Sequence, residues 1–148
     1  MEGWDYLGPV HRAHRDGVEK RAIRGAMSVL VVEDDADMRG AIREILVMSG
    51  FHVDVAEDGE AALRLADRGD YDVLVTDLRL PKLSGIEVAR RIRMRPRPPR
   101  MVLITAYPDW YESARDDGES VIIRKPLSLR TLAQVVREQA LKVDSAEG

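Results

Sequence analysis

The sequence has no cysteine among its 148 residues. This absence excludes disulfide bonds, thiolate metal sites and cysteine nucleophiles, and it fits the reducing cytoplasm, where we expect the protein to act. No apolar run approaches the roughly 20 residues that a membrane-spanning helix needs. Residues 1–10 have no apolar core after a basic start, so they do not form a secretory signal. With a net charge of −3, the chain also lacks the cationic excess that would favour nucleic acid as its main partner.

The chain divides into three parts by composition. Residues 1–27 contain scattered glycines, a proline and mixed charges without a sustained apolar period, so we expect a flexible N-terminal extension outside the core. From there, short apolar runs alternate with helical patterns. The sequence predicts one domain over residues 28–142, which is a usual size for a single core, and a C-terminal tail over residues 143–148.

Five short runs rich in valine and isoleucine predict β-strands. They are Ser28–Val32, His52–Val55, Tyr71–Thr76, Met101–Ile104 and Ser120–Arg124. Four of the runs are nearly continuous in apolar residues, which is typical of strands buried on both faces of a parallel sheet.

The segments between and after these runs show the three-and-four spacing of amphipathic helices. The first helix should end before Gly50 and the second before Gly69, because glycine favours helix C-termini. A third covers Ile86–Ile92, a short fourth is predicted at 109–116, and Ser128 can cap the fifth. The alternation predicts an α/β fold, a (βα)5 doubly wound parallel sheet of five strands in the order 2-1-3-4-5.

Polar side chains stand where four of the predicted strands end. Each alone is ambiguous, since an acid there is more often a helix cap, a threonine a good strand former and a lysine a solvated charge. In open α/β sheets, however, ligands bind outside the carboxyl ends of the strands. In the predicted strand order these ends are neighbours, so the side chains should converge on one crevice. They are Glu33, Asp34 and Asp35 after the first strand, Asp77 after the third, Thr105 after the fourth and Lys125 after the fifth.

This set of side chains suits phosphoryl transfer. Clustered carboxylates repel one another and need a counter-charge, of which Lys125 supplies one unit and Mg²⁺, which prefers carboxylate and carbonyl oxygens, the rest. A carboxylate beside Mg²⁺ can attack phosphorus and hold the phosphoryl group as an acyl phosphate. The metal, the lysine and the Thr105 hydroxyl would stabilise charge on the transferring oxygens. No histidine lies near these positions in the sequence, which argues against Ser/His/Asp catalysis.

From about residue 28 to residue 141, these motifs in this order resemble the receiver domain of bacterial response regulators, the CheY-like, flavodoxin-like domain of two-component signalling. The resemblance implies that Asp77 is the phosphoacceptor. It also implies a Mg²⁺ site formed by Glu33, Asp34, Asp77 and the main-chain carbonyl of Arg79.

The same resemblance makes Thr105 the switch hydroxyl and Lys125 the lysine of the phosphorylation site, with a cis bond to Pro126. It implies a phosphoacceptor signalling protein rather than an enzyme, with intrinsic Mg²⁺-dependent phosphotransfer and autodephosphorylation. The partners would be a histidine kinase or histidine phosphotransfer protein and a downstream protein target, and the family also allows a dimer. Because only residues 144–148 follow the last predicted helix, we expect a stand-alone receiver without a DNA-binding domain.

Two departures from the family pattern fall on its output side. Ile122 occupies a position where an aromatic side chain is common, and the stretch from Thr105 to Lys125 is shorter than is typical. We therefore expect the segment around Tyr107 and Trp110 to report phosphorylation, in place of an inward-moving aromatic ring.

Two other functions stay open. A pseudo-receiver would keep the fold as an interaction module without phosphorylation, although the complete set of acids, hydroxyl and lysine opposes this. A phosphatase of the haloacid-dehalogenase type would need a second aspartate two residues after the nucleophile, where this chain has Arg79. Separately, six arginines between Arg90 and Arg100 are explained by favourable charge at a helix C-terminus and a solvated connection, with a docking patch for an acidic partner as the alternative.

Overall fold

The structure is a computed structural model that describes residues 26–109 and 120–147, with side chains up to residue 143. The predicted N-terminal extension lies outside the described residues except for its last two. The predicted helix at 109–116 lies outside them except for Asp109, and Trp110 is not covered.

Five parallel strands form one sheet. They are β1 Ser28–Val32, β2 His52–Ala56, β3 Val73–Asp77, β4 Arg100–Thr105 and β5 Val121–Arg124, in the order β2-β1-β3-β4-β5. The predicted topology is therefore confirmed. Strand β3 begins two residues later than the apolar run. Just before it, the carboxylate of Asp72 accepts a hydrogen bond from Ser28 N at 2.8 Å.

Four helices are described, each starting at a polar cap. They are α1 Ala36–Met48, α2 Gly59–Arg68, α3 Gly85–Arg93 and α4 Leu129–Glu147. The side chains of their preceding residues, Asp35, Asp58, Ser84 and Ser128, accept hydrogen bonds from main-chain N–H groups three residues further on, which satisfies donors that have no partner within the helix.

The ends of α1 and α2 agree with the sequence, and the end of α4 differs. Helix α2 ends at Arg68, directly before Gly69. Gly50 follows α1 with a φ of 101°, as expected of a glycine that terminates a helix. Helix α4, in contrast, continues to Glu147, through most of the segment 143–148 that was expected to be a tail. No glycine or proline interrupts residues 129–147, so nothing in the chain forces an earlier end.

The sheet is covered on both faces, which confirms the prediction of strands buried on two sides. Side chains alternate along β1, so that Val29 and Val31 join one core with α1 and α4. Leu30 and Val32 join a second core with α2 and α3, against which Ile122 is partly buried. Full burial of one such side chain contributes about 1.5–3 kcal/mol. None of the described helices is long and apolar enough to span a bilayer.

This topology fixes the strand ends that carry the polar residues. Asp77 is in register with Ile104 of β4, and Thr105 is in register with Arg124 of β5. Glu33 follows β1 directly and donates its main-chain N–H to Ala56 O at 3.0 Å. The carboxyl ends of β1, β3, β4 and β5 therefore share one edge of the sheet.

Candidate functional site

Three carboxylates meet at this edge. One oxygen from each of Glu33, Asp34 and Asp77 lies within 4.8 Å of the other two. Glu33 and Asp77 are buried, with 3% and 2% of their surface exposed, whereas Asp34 is exposed. Asp35 does not join them, because its carboxylate caps α1 by accepting from Met38 N at 2.8 Å. The convergence expected from the strand order is thus observed for Glu33, Asp34 and Asp77, but not for Asp35.

Asp77 uses both carboxylate oxygens. Its Oδ1 accepts a hydrogen bond from Arg79 N at 2.9 Å, and its Oδ2 accepts one from Lys125 Nζ at 2.5 Å. Lys125 is placed by its own main chain, whose N–H donates to Thr105 O at 2.9 Å. The peptide bond between Lys125 and Pro126 is cis, as predicted.

Lys125 provides the positive charge nearest to Asp77. Burial lowers the pKa of Lys125, but the hydrogen bond and charge of Asp77, with the charges of Glu33 and Asp34, raise that pKa above its ordinary value overall. Lys125 is therefore a cation at neutral pH and offsets one of the three negative charges.

Glu33 carries the clearest sign that a cation belongs in this cluster. Its Oε2 accepts from Asp35 N at 3.0 Å, but its buried Oε1 has no hydrogen-bond partner among the described residues. Burial raises the pKa of Glu33, the hydrogen bond from Asp35 lowers it, and the charge of Asp77 raises it again, with a net upward shift. A buried polar atom without a partner is costly. The carboxylate donors and the unpaired oxygen fit a hard divalent cation such as Mg²⁺.

Thr105 and Arg79 border the cluster in different ways. Thr105 is buried at the end of β4, and its Oγ1 accepts from Tyr107 N at 3.0 Å, so the hydroxyl proton is still available for donation. Arg79 is exposed, with its main-chain N–H turned toward Asp77. The role of its carbonyl as a metal ligand stays a prediction.

An open cleft lies over Asp77 and makes it reachable from solvent. The cleft is bordered by charged, polar and apolar residues, which come from the end of β3 and from the loops that follow β1, β3, β4 and β5. They are Asp34, Asp77, Leu78, Arg79, Leu80, Ser84, Ala106 and Lys125.

The loop between β3 and α3 contains features that the sequence analysis missed. Gly85 N donates to Leu78 O at 3.1 Å, which closes the loop behind Asp77. Lys82 has a φ of 68°, a backbone conformation that a residue other than glycine seldom adopts, and its Nζ lies 3.5 Å from Asp58 Oδ2. The only sequence signal for this arrangement is the proline and glycine at 81 and 85.

Arg39, for which the sequence pattern gave no signal, points back from α1 to the main chain of Glu33. Of the arginines between 90 and 100, three lie in the last turn of α3, as expected, namely Arg90, Arg91 and Arg93. Several also form ion pairs with acidic residues of the chain. Arg90 and Arg91 pair with Glu87 at 2.6 and 2.7 Å. Arg95 pairs with Asp67 at 2.8 Å.

Comparison with known proteins agrees with the fold. A family model described as "Response regulator receiver domain" matches residues 29–137. The chain is 38% identical over 108 residues to a cyclic di-GMP phosphodiesterase of Thermotoga maritima, covering 72% of this chain and 29% of that protein. It is 31% identical over 112 residues to response regulator ArlR of Staphylococcus haemolyticus, covering 74% and 51%. The chain therefore spans about half the length, or less, of these curated relatives.

Two solved structures extend the comparison. Response regulator protein TrrA of Thermotoga maritima, in complex with Mg²⁺-BeF, is 32% identical with a TM-score of 0.68, covering 76% of this chain and 98% of that one. The receiver domain of Francisella response regulator 1452 is 27% identical with a TM-score of 0.70, covering 78% and 98%. Sequence, topology and the acidic edge lead to the same assignment: the chain belongs to the response regulator receiver domain family.

Proposed function

We propose that this receiver domain accepts a phosphoryl group on Asp77 with the help of Mg²⁺, and that phosphorylation changes its binding to a downstream protein. One observation carries the proposal. The buried carboxylate of Asp77 is paired with Lys125 and lies within 4.8 Å of two further carboxylates, one of which, Glu33, has an oxygen without a partner among the described residues.

The metal ligands in this proposal are the carboxylates of Glu33, Asp34 and Asp77, with the main-chain carbonyl of Arg79. When bound, Mg²⁺ would neutralise the clustered carboxylates and withdraw charge from the phosphoryl oxygens. The TrrA structure in complex with Mg²⁺-BeF supports this choice of cation in a relative.

The chain's own residues carry the transfer. A carboxylate oxygen of Asp77 forms a bond to phosphorus while the P–N bond of a phosphohistidine donor breaks, and the imidazole nitrogen leaves with the bonding electron pair. The Lys125 ammonium and the Thr105 hydroxyl stabilise charge on the phosphoryl oxygens. In autodephosphorylation, water attacks phosphorus and the P–O bond to Asp77 breaks. Inorganic phosphate leaves, and the carboxylate of Asp77 is restored.

Family membership supports a histidine kinase or a histidine phosphotransfer protein as the donor. A receiver that acts alone stays a prediction from the sequence. The mass of the native protein isolated from its source would test it.

The experiment that tests the proposal separates a receiver from a pseudo-receiver. The purified chain is incubated with acetyl phosphate, with either millimolar Mg²⁺ or a chelator, and its intact mass is measured. We expect one hydroxylamine-labile phosphoryl group per chain with Mg²⁺ and none with the chelator. A folded protein that gains no phosphoryl group under either condition would instead be a pseudo-receiver.

A further inference from the structure

Arg39 contacts the acidic cluster from behind, without belonging to it. From the first turn of α1, its Nη1 donates a hydrogen bond to Glu33 O at 2.9 Å and a longer one to Asp34 O at 3.4 Å. These two carbonyls belong to the residues whose carboxylates meet Asp77. The guanidinium thus bridges helix α1 and the connection formed by residues 33–35.

This connection needs such support because its side chains repel one another. It places two carboxylates next to a third, and in the absence of a cation their repulsion favours opening of the acidic edge. Asp34 is exposed, so no burial of its side chain opposes that movement. A planar guanidinium that spans two carbonyls holds them with little loss of conformational freedom for each hydrogen bond.

We propose that Arg39 is a positioning residue for the Mg²⁺ site, which holds the main chain of Glu33 and Asp34 so that both carboxylates face Asp77. The inference rests on the function proposed above for that site. Groups that orient metal ligands without touching the metal commonly change affinity by about 10–100-fold when they are removed.

The positive charge of Arg39 should weaken Mg²⁺ binding, whereas its hydrogen bonds to the main chain should strengthen it. The direction in which Mg²⁺ affinity changes on substitution therefore shows which of the two dominates. A cation near the cluster repels Mg²⁺, so removal of the charge alone would tighten binding. Arg39 is only half-buried, however, and solvent screens charges near the surface. The loss of positioning should therefore outweigh the loss of repulsion, and truncation should weaken binding.

The test measures melting temperature across a MgCl₂ titration, which yields the stability of the metal-free protein and the Mg²⁺ affinity from one data set. The variants are Arg39→Ala and Arg39→Gln, and the control is Arg43→Ala, since Arg43 is an exposed arginine one turn further along α1. We expect Arg39→Ala to weaken Mg²⁺ binding by about tenfold, Arg39→Gln to show a smaller loss, and Arg43→Ala to match wild type. Because Arg39 acts through the metal ligands, the maximal rate of phosphorylation by acetyl phosphate should return to near wild type at saturating Mg²⁺.

Each contrary outcome has a distinct meaning. If wild type responds to Mg²⁺ but Arg39→Ala binds it equally or more tightly, this inference fails and the proposed function stands. The same holds if Arg39→Ala lowers only the melting temperature of the metal-free protein, since Arg39 would then be a structural residue. If Arg39→Ala does not fold, Arg39→Gln decides by the same criterion. A wild-type melting temperature that does not change with Mg²⁺ concentration would overturn both the proposed function and this inference.

Discussion

A Cβ atom added to Gly85 would lie 2.1 Å from the main-chain oxygen of Asp77 and 2.7 Å from Cα of Leu78. The first residue of α3 therefore rests directly on the strand end that carries the proposed phosphoacceptor. Since the nearest atoms belong to the backbone, they cannot move aside as a flexible side chain would. The position of Asp77 and the path of α3 are coupled through this contact.

Gly85→Ala should consequently destabilise the protein and slow phosphorylation of Asp77. We expect the free energy of unfolding in urea to fall by at least about 1–3 kcal/mol, the usual cost of overpacking. The control is Gly40→Ala in α1, where no described atom other than the neighbouring residues and backbone of the helix itself lies within 4 Å of the added Cβ. Alanine there should stabilise the helix by about 0.5–1 kcal/mol. Equal stability of wild type and Gly85→Ala would contradict the contact.

Glu33→Gln should increase the stability of the metal-free protein and remove most of its response to Mg²⁺. The substitution keeps the shape of a side chain whose Oε1 is buried without a described partner, and it removes one of the three repelling charges. Melting curves in chelator and in millimolar Mg²⁺ measure both effects. Asp35→Asn is the control, because Asp35 lies in the same connection but caps α1, a role that asparagine also fills. A Glu33→Gln variant with a full Mg²⁺ response would show that Glu33 is not a ligand.

Lys125→Met should abolish efficient phosphorylation while preserving Mg²⁺ binding. The variant leaves the buried Oδ2 of Asp77 without its donor, so the free energy of unfolding of the metal-free protein should fall by about 1–3 kcal/mol. The loss should lie toward the lower end because the Lys125 side chain is 37% exposed and solvent weakens exposed ion pairs. Mg²⁺ should then restore more stability to the variant than to wild type, since one fewer cation opposes it. Loss of the Mg²⁺ response in Lys125→Met would contradict this division of roles.

Asp58 should stabilise the fold in a pH-dependent manner. The hydrogen bond from Ala61 N lowers the pKa of Asp58, burial raises it, and the charge of Lys82 lowers it, with a net downward shift. A carboxylate with a lowered pKa contributes its stability above the ordinary carboxyl pKa of about 3.9, and this contribution is lost as pH falls through the lowered value.

Asp58→Ala should therefore cost about 0.5–2 kcal/mol at neutral pH, as expected for loss of a helix cap, and the difference from wild type should shrink below about pH 4. Urea unfolding at neutral and acidic pH measures it, with the exposed neighbour Glu57→Ala as the control. A difference that stays constant or grows at acidic pH would be inconsistent with a stabilising Asp58 carboxylate.

The sheet and the acidic edge were predictable because a strand that is buried on both faces appears in the sequence as a nearly continuous apolar run. Strand β1 is buried at all five positions and apolar at four of them, and the strand order then brings the carboxyl ends of the strands to one edge. Glu33 and Lys125 directly follow a strand and Asp77 is the last residue of one, so their convergence needed no knowledge of side-chain packing.

Other features depend on tertiary contacts that produce no recognisable pattern in the sequence. In the sequence, Arg39 is indistinguishable from a solvated charge in the first turn of a helix. The φ of 68° at Lys82 has no signal because the residue is not glycine. The contact between Gly85 and Asp77 depends on the angle at which α3 leaves the sheet, and no periodicity specifies that angle.

Chemical trapping of the acyl phosphate would show whether Asp77 is the phosphoacceptor. Wild-type protein is phosphorylated by acetyl phosphate with Mg²⁺ and treated with borohydride, which reduces an acyl phosphate to an alcohol and so converts the modified aspartate to homoserine. Peptide mass mapping then locates the converted residue, with Asp77→Asn treated in parallel. We predict homoserine at position 77 in wild type and no conversion in Asp77→Asn. Homoserine at position 34 or 35 of wild type, or full phosphoryl incorporation by Asp77→Asn, would contradict the account.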